Sequence, residues 1–515
     1  MSLLRRTSIV SAATLASRVL GFVRDAATAA VLGAGPVADA LVAALALPLL
    51  ARRLLAEGAF NLAFIPALSR AESAEAESAT AGGPRRLAAA TLVLLAGLLF
   101  AFALVAALAM PQLIALLAPG FEPGGQRADV AILCGRVAVL YLPLAGLAAI
   151  YGGVANAAHR VLLPALAPVA ANLTVLAVIA ALVADGLMES DAAAFAIAAA
   201  TLAAGCAQLA LMLAAARGCP DRPAFASLAR SGAGVMRPAL GVLRAAAPAL
   251  LFAGLSQFRL IIVAAAVSAS PGAVAALNYA QRLMDLPLGL VGASAGAVLV
   301  PALLRRSGQG EAAEEAGRAV LAALAFALPA AAGLAVLADP IVVMLFQRGS
   351  FDADDAALTA GLLAVLALSL PAQGLERVLS AAASTAGLVK AAERVALGSL
   401  LLCLAAALVV APAFGPRAAA GAVAASSLCS VLALGAVLVR HDALRFTPAM
   451  LLSGTGLLGA SVLMGACVAA LAQAWPAGEG WTGIVRLASL VATGMVLYGA
   501  AALAVKALAG RGAAG

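Results

Sequence analysis

Charged residues are scarce in this 515-residue chain, of which Asp, Glu, Lys and Arg together make up only 11%. A soluble domain carries roughly 25% of such residues, so this chain cannot cover itself with a solvated charged surface. Aromatic residues are also few, at 4%, whereas 64% of the chain is hydrophobic and 49 residues are Gly. Small side chains let helices approach closely in lipid. The composition therefore predicts a membrane protein whose helices pack closely together.

Groups suited to catalysis or metal binding are equally scarce. The chain has two His, and its six Cys include no C-x-x-C pair, so we predict no zinc or disulfide framework. The sequence G-x-x-x-x-G-K-[ST], which would bind the phosphates of ATP, does not occur. No polar segment is long enough for a basic, aromatic-rich nucleic-acid surface. We therefore predict no enzyme activity, no resident cofactor and no nucleic-acid partner.

Long apolar runs fill most of the sequence, and they do not alternate as the strands of a barrel would. A membrane helix needs about 20 mostly apolar residues, so the predicted fold class is an all-α polytopic membrane protein of about fourteen transmembrane helices. The first run is interrupted by Arg18, Arg24 and Asp25, and we expect it to stay attached as a helix instead of being cleaved as a signal peptide. The predicted spans are 8–32, 37–57, 87–109, 129–156, 162–184, 192–216, 240–268, 272–303, 318–338, 355–381, 393–411, 418–439, 449–473 and 482–507.

Basic residues outside these spans gather in alternate loops. The loops on one side hold only Arg127, Arg348 and Arg417, and the remaining loop Arg and Lys residues fall on the other side. Cytoplasmic loops of membrane proteins carry an excess of Lys and Arg. The pattern predicts a multi-pass protein of the bacterial inner membrane with both termini in the cytoplasm.

A weak internal repeat indicates a duplicated chain. Residues 61–70 (N-L-A-F-I-P-A-L-S-R) resemble residues 296–305 (G-A-V-L-V-P-A-L-L-R), and each segment is expected to end a helix at the inner face. Parallel repeats of this kind often enclose the substrate site of a transporter. We predict an N-terminal lobe (1–216) and a C-terminal lobe (217–439), pseudo-symmetric and of six helices each, around a central cavity. Two further helices (440–515) follow.

Several arginines fall within the predicted spans, where a charge costs roughly 2.5–3.5 kcal/mol on insertion scales. The planar guanidinium of Arg binds phosphate bidentately and stays charged in an apolar site. The sequence therefore predicts a wet cavity for an anionic, phosphorylated substrate, and the alternative is that these arginines only pair with acids to hold the helices together. The deepest basic residues are Arg18, Arg24, Arg259, Arg282 and Arg377. The acids within the spans are fewer: Asp25, Asp39, Glu57, Asp285 and Glu376.

The chain carries a set of recognisable motifs as far as about residue 355. These segments are 17–25 (S-R-V-L-G-F-V-R-D), 33–35, 39–40, 52–60 (R-R-L-L-A-E-G-A-F), 118–121, 279–285 (Y-A-Q-R-L-M-D) and 345–347. Through these segments the sequence strongly resembles MurJ/MviN-type lipid II flippases of the MOP exporter superfamily.

This resemblance implies two six-helix lobes around a V-shaped cavity and a C-terminal helix pair that forms a groove for a lipid tail. It implies transport of an undecaprenyl-diphosphate-linked peptidoglycan precursor from the cytoplasmic to the periplasmic leaflet by alternating access. Arg18, Arg24 and Arg282 match cavity arginines that would bind the diphosphate and sugar head, and Asp25 and Asp39 match their acidic partners.

The resemblance also predicts a cytoplasmic gate formed by Arg52, Arg53 and Glu57, although snorkelling to the membrane surface is an alternative for the two arginines. Arg377 stands where relatives carry a basic residue. Arg259 has no counterpart in the family pattern and is interpreted as a local addition to the cavity.

Three questions stay open at this point. A coupling monovalent cation or the membrane potential would supply the driving force, and each charge moved through 100 mV is worth about 2.3 kcal/mol. The alternative functions are a flippase for another lipid-linked oligosaccharide, of the O-antigen or capsule type, and a non-transporting scaffold for cell-wall enzymes. The expected partners are lipid II, membrane lipids and the cell-wall synthesis or division machinery, and the protein is expected to be a monomer.

Overall fold

The computed structural model describes residues 3–56, 60–78, 83–224, 236–304, 309–476, 478 and 480–512. Within these ranges every regular element is a helix, which confirms the predicted all-α class. The first half contains α1 (Leu3–Leu32), α2 (Pro36–Ala51) with a following π-helical turn (Arg52–Ala56), α3 (Asn61–Ser78), α4 (Gly83–Leu108), α5 (Met110–Leu117), α6 (Gln126–Ala138), α7 (Tyr141–Ala157), α8 (Leu162–Ala184) and α9 (Asp191–Ala215).

The second half follows a similar order. It contains α10 (Met236–Val267), α11 (Ala273–Leu304), α12 (Gln309–Val336), α13 (Ala338–Phe346), α14 (Ala353–Ala367), α15 (Leu370–Thr385), α16 (Val389–Arg440), α17 (Pro448–Ala474) and α18 (Gly480–Gly512). Gly415 divides α16 into two helices, because its φ of 79° is not helical and prolines lie on either side of it. This division matches the predicted gap between spans 393–411 and 418–439.

Eight helices of the described residues are long and apolar enough to cross a membrane, or nine if the bent pair α14–α15 forms one span. The protein is therefore a multi-pass membrane protein. The number fourteen remains a prediction, because α1 carries too many charges and α2 is too short for either to be identified as a membrane span from length and composition. Two pairs of arginines and Asp25 lower the hydropathy of α1, and α2 has only 16 residues.

Two predicted spans are each broken into two helices by the same local chemistry. The predicted helix 129–156 is divided at residues 139–140 into α6 and α7, and the predicted helix 355–381 is divided into α14 and α15 with a bend of 44°. Pro143 and Pro371 stand just after the two breaks. A proline lacks the backbone N–H and clashes with the carbonyl four residues earlier, so it can kink or break a helix at that point.

The two halves share an order of helices, and the structure corrects one detail of the predicted repeat. Both halves run from long helices through a short helix (α5 or α13) to a broken pair (α6–α7 or α14–α15) and two further helices. Residues 296–304 end α11 as predicted, but residues 61–70 begin α3 instead of ending a helix. The chain before α3 departs from α-helical geometry in the π turn, and π turns are frequent at functional sites.

The chain forms two compact units, Met1–Gln257 and Phe258–Gly515, and the division falls inside α10. In the first unit, α3 packs into the core through Phe60 and Phe64, whose rings stack with centroids 5.5 Å apart. Gly153 of α7 lies against Phe64, and a Cβ atom there would come within 2.7 Å of the ring. The absence of a side chain at Gly153 therefore lets α3 and α7 approach closely.

Candidate functional site

The charged residues of α1 form a hydrogen-bonded chain with α8. Arg24 Nη2 lies 2.6 Å from Asp25 Oδ1, and Arg24 Nη1 donates to Asn172 Oδ1 at 3.0 Å. The side-chain nitrogen of Asn172 donates in turn to the carbonyl of Ser17, also at 3.0 Å. Arg24 and Asp25 keep 13% and 14% of their side chains exposed, so this cation is paired but not sealed from solvent. Arg18, one and a half turns earlier, is exposed.

Asn172 is a site residue that the sequence analysis missed. It is buried on α8, and it fixes the orientation of Arg24 by accepting one of its N–H groups. The available signal was an amide inside the apolar run 162–184, where an unsatisfied polar group would be costly.

Asp39 lies in the first turn of α2 and is fully buried. Its Oδ2 atom is 3.7 Å from Nη1 of Arg127, which belongs to α6. The sequence analysis assigned Asp39 to the cavity arginines as an acidic partner and treated Arg127 only as a loop charge. The tertiary structure brings Arg127 to Asp39 because α2 packs along α6.

The predicted gate residues lie at the opposite end of α2. Arg52 and Arg53 are half-buried in the π turn, which packs against α7. Glu57, the third predicted gate residue, lies outside the described residues. Their role as a gate stays a prediction.

The second unit carries a related group on α11 and α15. Arg282 Nη1 lies 3.8 Å from Asp285 Oδ2, and Gln281 donates to the other oxygen of Asp285 at 2.9 Å. Arg377 of α15 donates to the carbonyl of Leu288 at 3.1 Å, so it reaches the helix that carries Arg282. Arg282 and Asp285 keep 15% and 24% of their side chains exposed.

Arg259 is placed differently from the sequence expectation. The sequence predicts it in a cavity wall, but the structure buries it completely inside the second unit. Its two terminal nitrogens each donate to Glu376 at 2.6 Å, and each also reaches a serine hydroxyl at 2.8 Å, on Ser399 and Ser427. A buried charge requires such pairing and hydrogen bonding. The guanidinium therefore joins α10, α15 and both halves of α16.

Taken together, the partly exposed arginines are suited to bind an anion. Each of Arg24 and Arg282 is held by a carboxylate of its own helix, and a phosphate can compete for the same N–H groups in bidentate geometry. Among the described residues, no cluster of three or more His, Cys, Asp or Glu could hold a metal ion. Each of the two arginine–carboxylate pairs is thus suited to bind and orient an anionic group.

A helical chain with many apolar spans, duplicated element order and arginine–carboxylate pairs inside its units defines a polytopic membrane protein of the transporter type. The comparisons with known proteins agree with this class. The chain belongs to the lipid II flippase MurJ family, whose model matches residues 28–488. The match confirms the resemblance and extends it well beyond residue 355, into α18.

Two relatives illustrate the extent of the similarity. A probable lipid II flippase MurJ of Rhizobium tropici is 32% identical over 507 residues, which cover 97% of this chain and 93% of that protein. One of Rhizobium meliloti (strain 1021) is 38% identical over 376 residues, 72% of this chain and 68% of that protein. A solved structure described as lipid II flippase MurJ in an inward closed conformation covers 98% of this chain and 99% of its own, with a TM-score of 0.77 and 20% identity. The last likeness shows the fold alone.

Proposed function

We propose that this protein flips lipid II, the undecaprenyl-diphosphate-linked peptidoglycan precursor, from the cytoplasmic to the periplasmic leaflet of the inner membrane. The family match over residues 28–488 supports this substrate. The observation that carries the mechanism is the partly exposed Arg24, which is held on a membrane helix by Asp25 and Asn172. The protein acts as a transporter and not as an enzyme.

The charges of the substrate explain why arginines are needed. A diphosphate cannot cross hydrocarbon unaided, since the desolvation of an unpaired ion is very costly. Arg24 in the first unit and Arg282 in the second unit would each release its carboxylate partner and bind a phosphate group. Arg18 lies on the helix of Arg24, and Arg377 reaches the helix of Arg282. Asp25 and Asp285 would take the arginines back when the substrate leaves. Arg259 holds the second unit together and does not touch the substrate.

Alternating access would move the head group while the lipid tail stays in an apolar environment. In this proposal both termini are cytoplasmic, Arg52, Arg53 and Glu57 close the cytoplasmic side, and α17 and α18 form the wall for the tail. The protein works as a monomer alongside the cell-wall synthesis or division machinery.

The membrane potential is the driving force that the charges favour. An emptied site with excess positive charge is drawn toward the negative cytoplasm, and each charge moved through 100 mV contributes about 2.3 kcal/mol. A coupling monovalent cation is the second candidate.

Depletion and complementation in cells test the function. We expect depletion to stop wall synthesis while lipid II accumulates in the inner leaflet, and Arg24→Ala to fail to restore growth. Arg318→Ala is the matched control, because Arg318 is 60% exposed and pairs with Glu314 and Glu315 of its own helix. Undiminished periplasmic lipid II after depletion would refute the proposal.

A reconstituted flipping assay and the growth of the Arg24→Ala strain distinguish the two alternative functions. A protein that moves an O-antigen-type lipid faster than lipid II would be a flippase for that substrate. Normal growth of the Arg24→Ala strain would favour a scaffold that recruits cell-wall enzymes without transport.

A further inference from the structure

The connection between α5 and α6 brings three unlike side chains together at the first turn of α2. The guanidinium carbon of Arg127 lies 4.7 Å from the centre of the Phe121 ring. The same guanidinium is 3.7 Å from Asp39 and donates to the carbonyl of Gly120 at 3.4 Å. We call Asp39, Phe121 and Arg127 the α2 clamp.

Burial makes the ion pair of the α2 clamp significant. Asp39 has no exposed surface, and Arg127 keeps 17% of its side chain exposed. An ionised carboxylate removed from water needs a cation beside it, and a cation–π contact is stronger when it is partly desolvated. Arg127 therefore supports both the charge of Asp39 and the packing of Phe121.

The second unit closes the corresponding connection with different chemistry. Where the short helix α13 leads toward α14, Tyr279, Phe346 and Phe351 pack with ring centroids 5.5–5.8 Å apart. The basic residue of that connection, Arg348, is exposed and donates to the carbonyl of Met344 in the short helix that precedes it. The two halves share an element order, but an ion pair holds this corner in the first and an aromatic cluster holds it in the second.

We propose that Arg127 is a positioning residue for transport, which acts through Asp39 on α2. The clamp holds the first turn of the helix that leads to Arg52 and Arg53 at its other end. The ion pair of Asp39 and Arg127 can exchange a partner for water, whereas the aromatic cluster of the second unit cannot. The connection between α5 and α6 is therefore the one that can detach from α2. The inference rests on the proposed function, and in it Asp39 does not contact the lipid head group.

Purified protein in vesicles tests the clamp through three measurements: the lipid II flipping rate, lipid II binding and thermal unfolding. We expect Asp39→Ala and Arg127→Ala each to slow flipping by at least about tenfold, because each removes one member of an ion pair whose carboxylate is fully buried. The double variant should be no slower than the slower single variant, and binding should stay within about twofold of the wild type. Arg348→Ala is the matched control and should flip at the wild-type rate.

Three results would overturn the inference. They are wild-type flipping by Arg127→Ala, losses that multiply in the double variant, and binding that falls in step with flipping. If Arg127→Ala does not fold, Arg127→Lys and Phe121→Leu replace it. Each of these weakens the contact of the guanidinium with the ring, and a wild-type rate in both would equally refute the clamp.

Failure of the proposed function gives a different result. A folded wild-type protein that moves no lipid II in the same vesicles refutes the flippase proposal. The thermal unfolding of the single and double variants then still decides whether Asp39 and Arg127 are coupled, since their losses of stability must be non-additive if the clamp exists.

Discussion

The membrane arginines differ in the exposed fraction of their side chains, and this difference separates two roles. Arg24 and Arg282 are partly exposed, at 13% and 15%, whereas Arg259 has no exposed surface. A partly hydrated guanidinium can exchange a carboxylate for another anion because water supports the intermediate. Arg259 cannot do so, since departure from Glu376 would leave two unpaired charges in the interior.

Arg259→Met tests the interior role. The change leaves Glu376 buried without its cation, and we expect it to lower the free energy of unfolding by about 3–5 kcal/mol. Arg259→Met combined with Glu376→Leu should recover much of this loss, because two apolar side chains can replace a buried ion pair. Thermal unfolding of the purified protein measures both. A double variant less stable than Arg259→Met would contradict the assignment, and Arg318→Met serves as the exposed control.

Asn172→Ala tests the orientation of Arg24. The variant removes one hydrogen bond to a charged group, worth about 1.5–3 kcal/mol, and should weaken lipid II binding by roughly tenfold or more. Added to Arg24→Ala, it should cause no further loss, because Asn172 acts through that arginine. Thr174→Ala on the same helix is the control, since the Thr174 hydroxyl donates to the carbonyl of Ala170 in its own helix. Equal binding by the wild type and Asn172→Ala would exclude this role.

At the scale of helices and loops, the segment after α9 is tied to its neighbours by several side chains. Arg160 donates to the carbonyl of Arg217, and Arg85 donates to the carbonyl of Pro220. Next to these contacts, Glu72 of α3 faces the carboxyl group of Asp221. A hydrogen bond to Asp221, burial and repulsion by the Asp221 charge raise the pKa of Glu72 above its ordinary value of 4.5.

This carboxyl pair predicts a pH dependence of stability. The folded state favours protonated Glu72, so the contribution to stability is fully present below about pH 4.5 and is lost as the pH rises through the raised pKa. Glu72→Gln keeps the position neutral and should flatten the decline of the unfolding temperature as the pH rises above about 4.5. Glu75→Gln, on the same helix, is the control. If both variants follow the wild-type pH profile, the pair does not contribute.

At the scale of the whole molecule, a net charge of +8 and arginines within both units predict that transport depends on the membrane potential. We expect flipping in vesicles to accelerate when an inside-negative potential is imposed, because about 2.3 kcal/mol per charge and 100 mV favours return of the empty site. The rate at zero and at imposed potential, with and without Na⁺, measures the effect. A flipping rate that depends on Na⁺ but not on the potential would favour cation coupling instead.

Most of the helices could be predicted from the sequence, but two breaks in them were not. Hydropathy alone predicts an all-helical membrane protein, and the gap near Gly415 is visible in the sequence. The breaks before Pro143 and Pro371 were missed because a hydropathy window averages over a proline inside an apolar run. The signal was present, since a proline early in a helix marks a possible start as well as an interruption.

The sequence by itself determined the helical class, the family and the presence of costly intramembrane arginines, because these depend on composition and local motifs. Only the tertiary structure decided which arginines meet which partners. Arg259 and Glu376 are 117 residues apart, and Arg24 and Asn172 are 148 residues apart, so no local pattern pairs them. Whether a guanidinium is sealed in the interior or remains open to an anion depends on the packing of distant helices, and packing distinguishes Arg259 from Arg24.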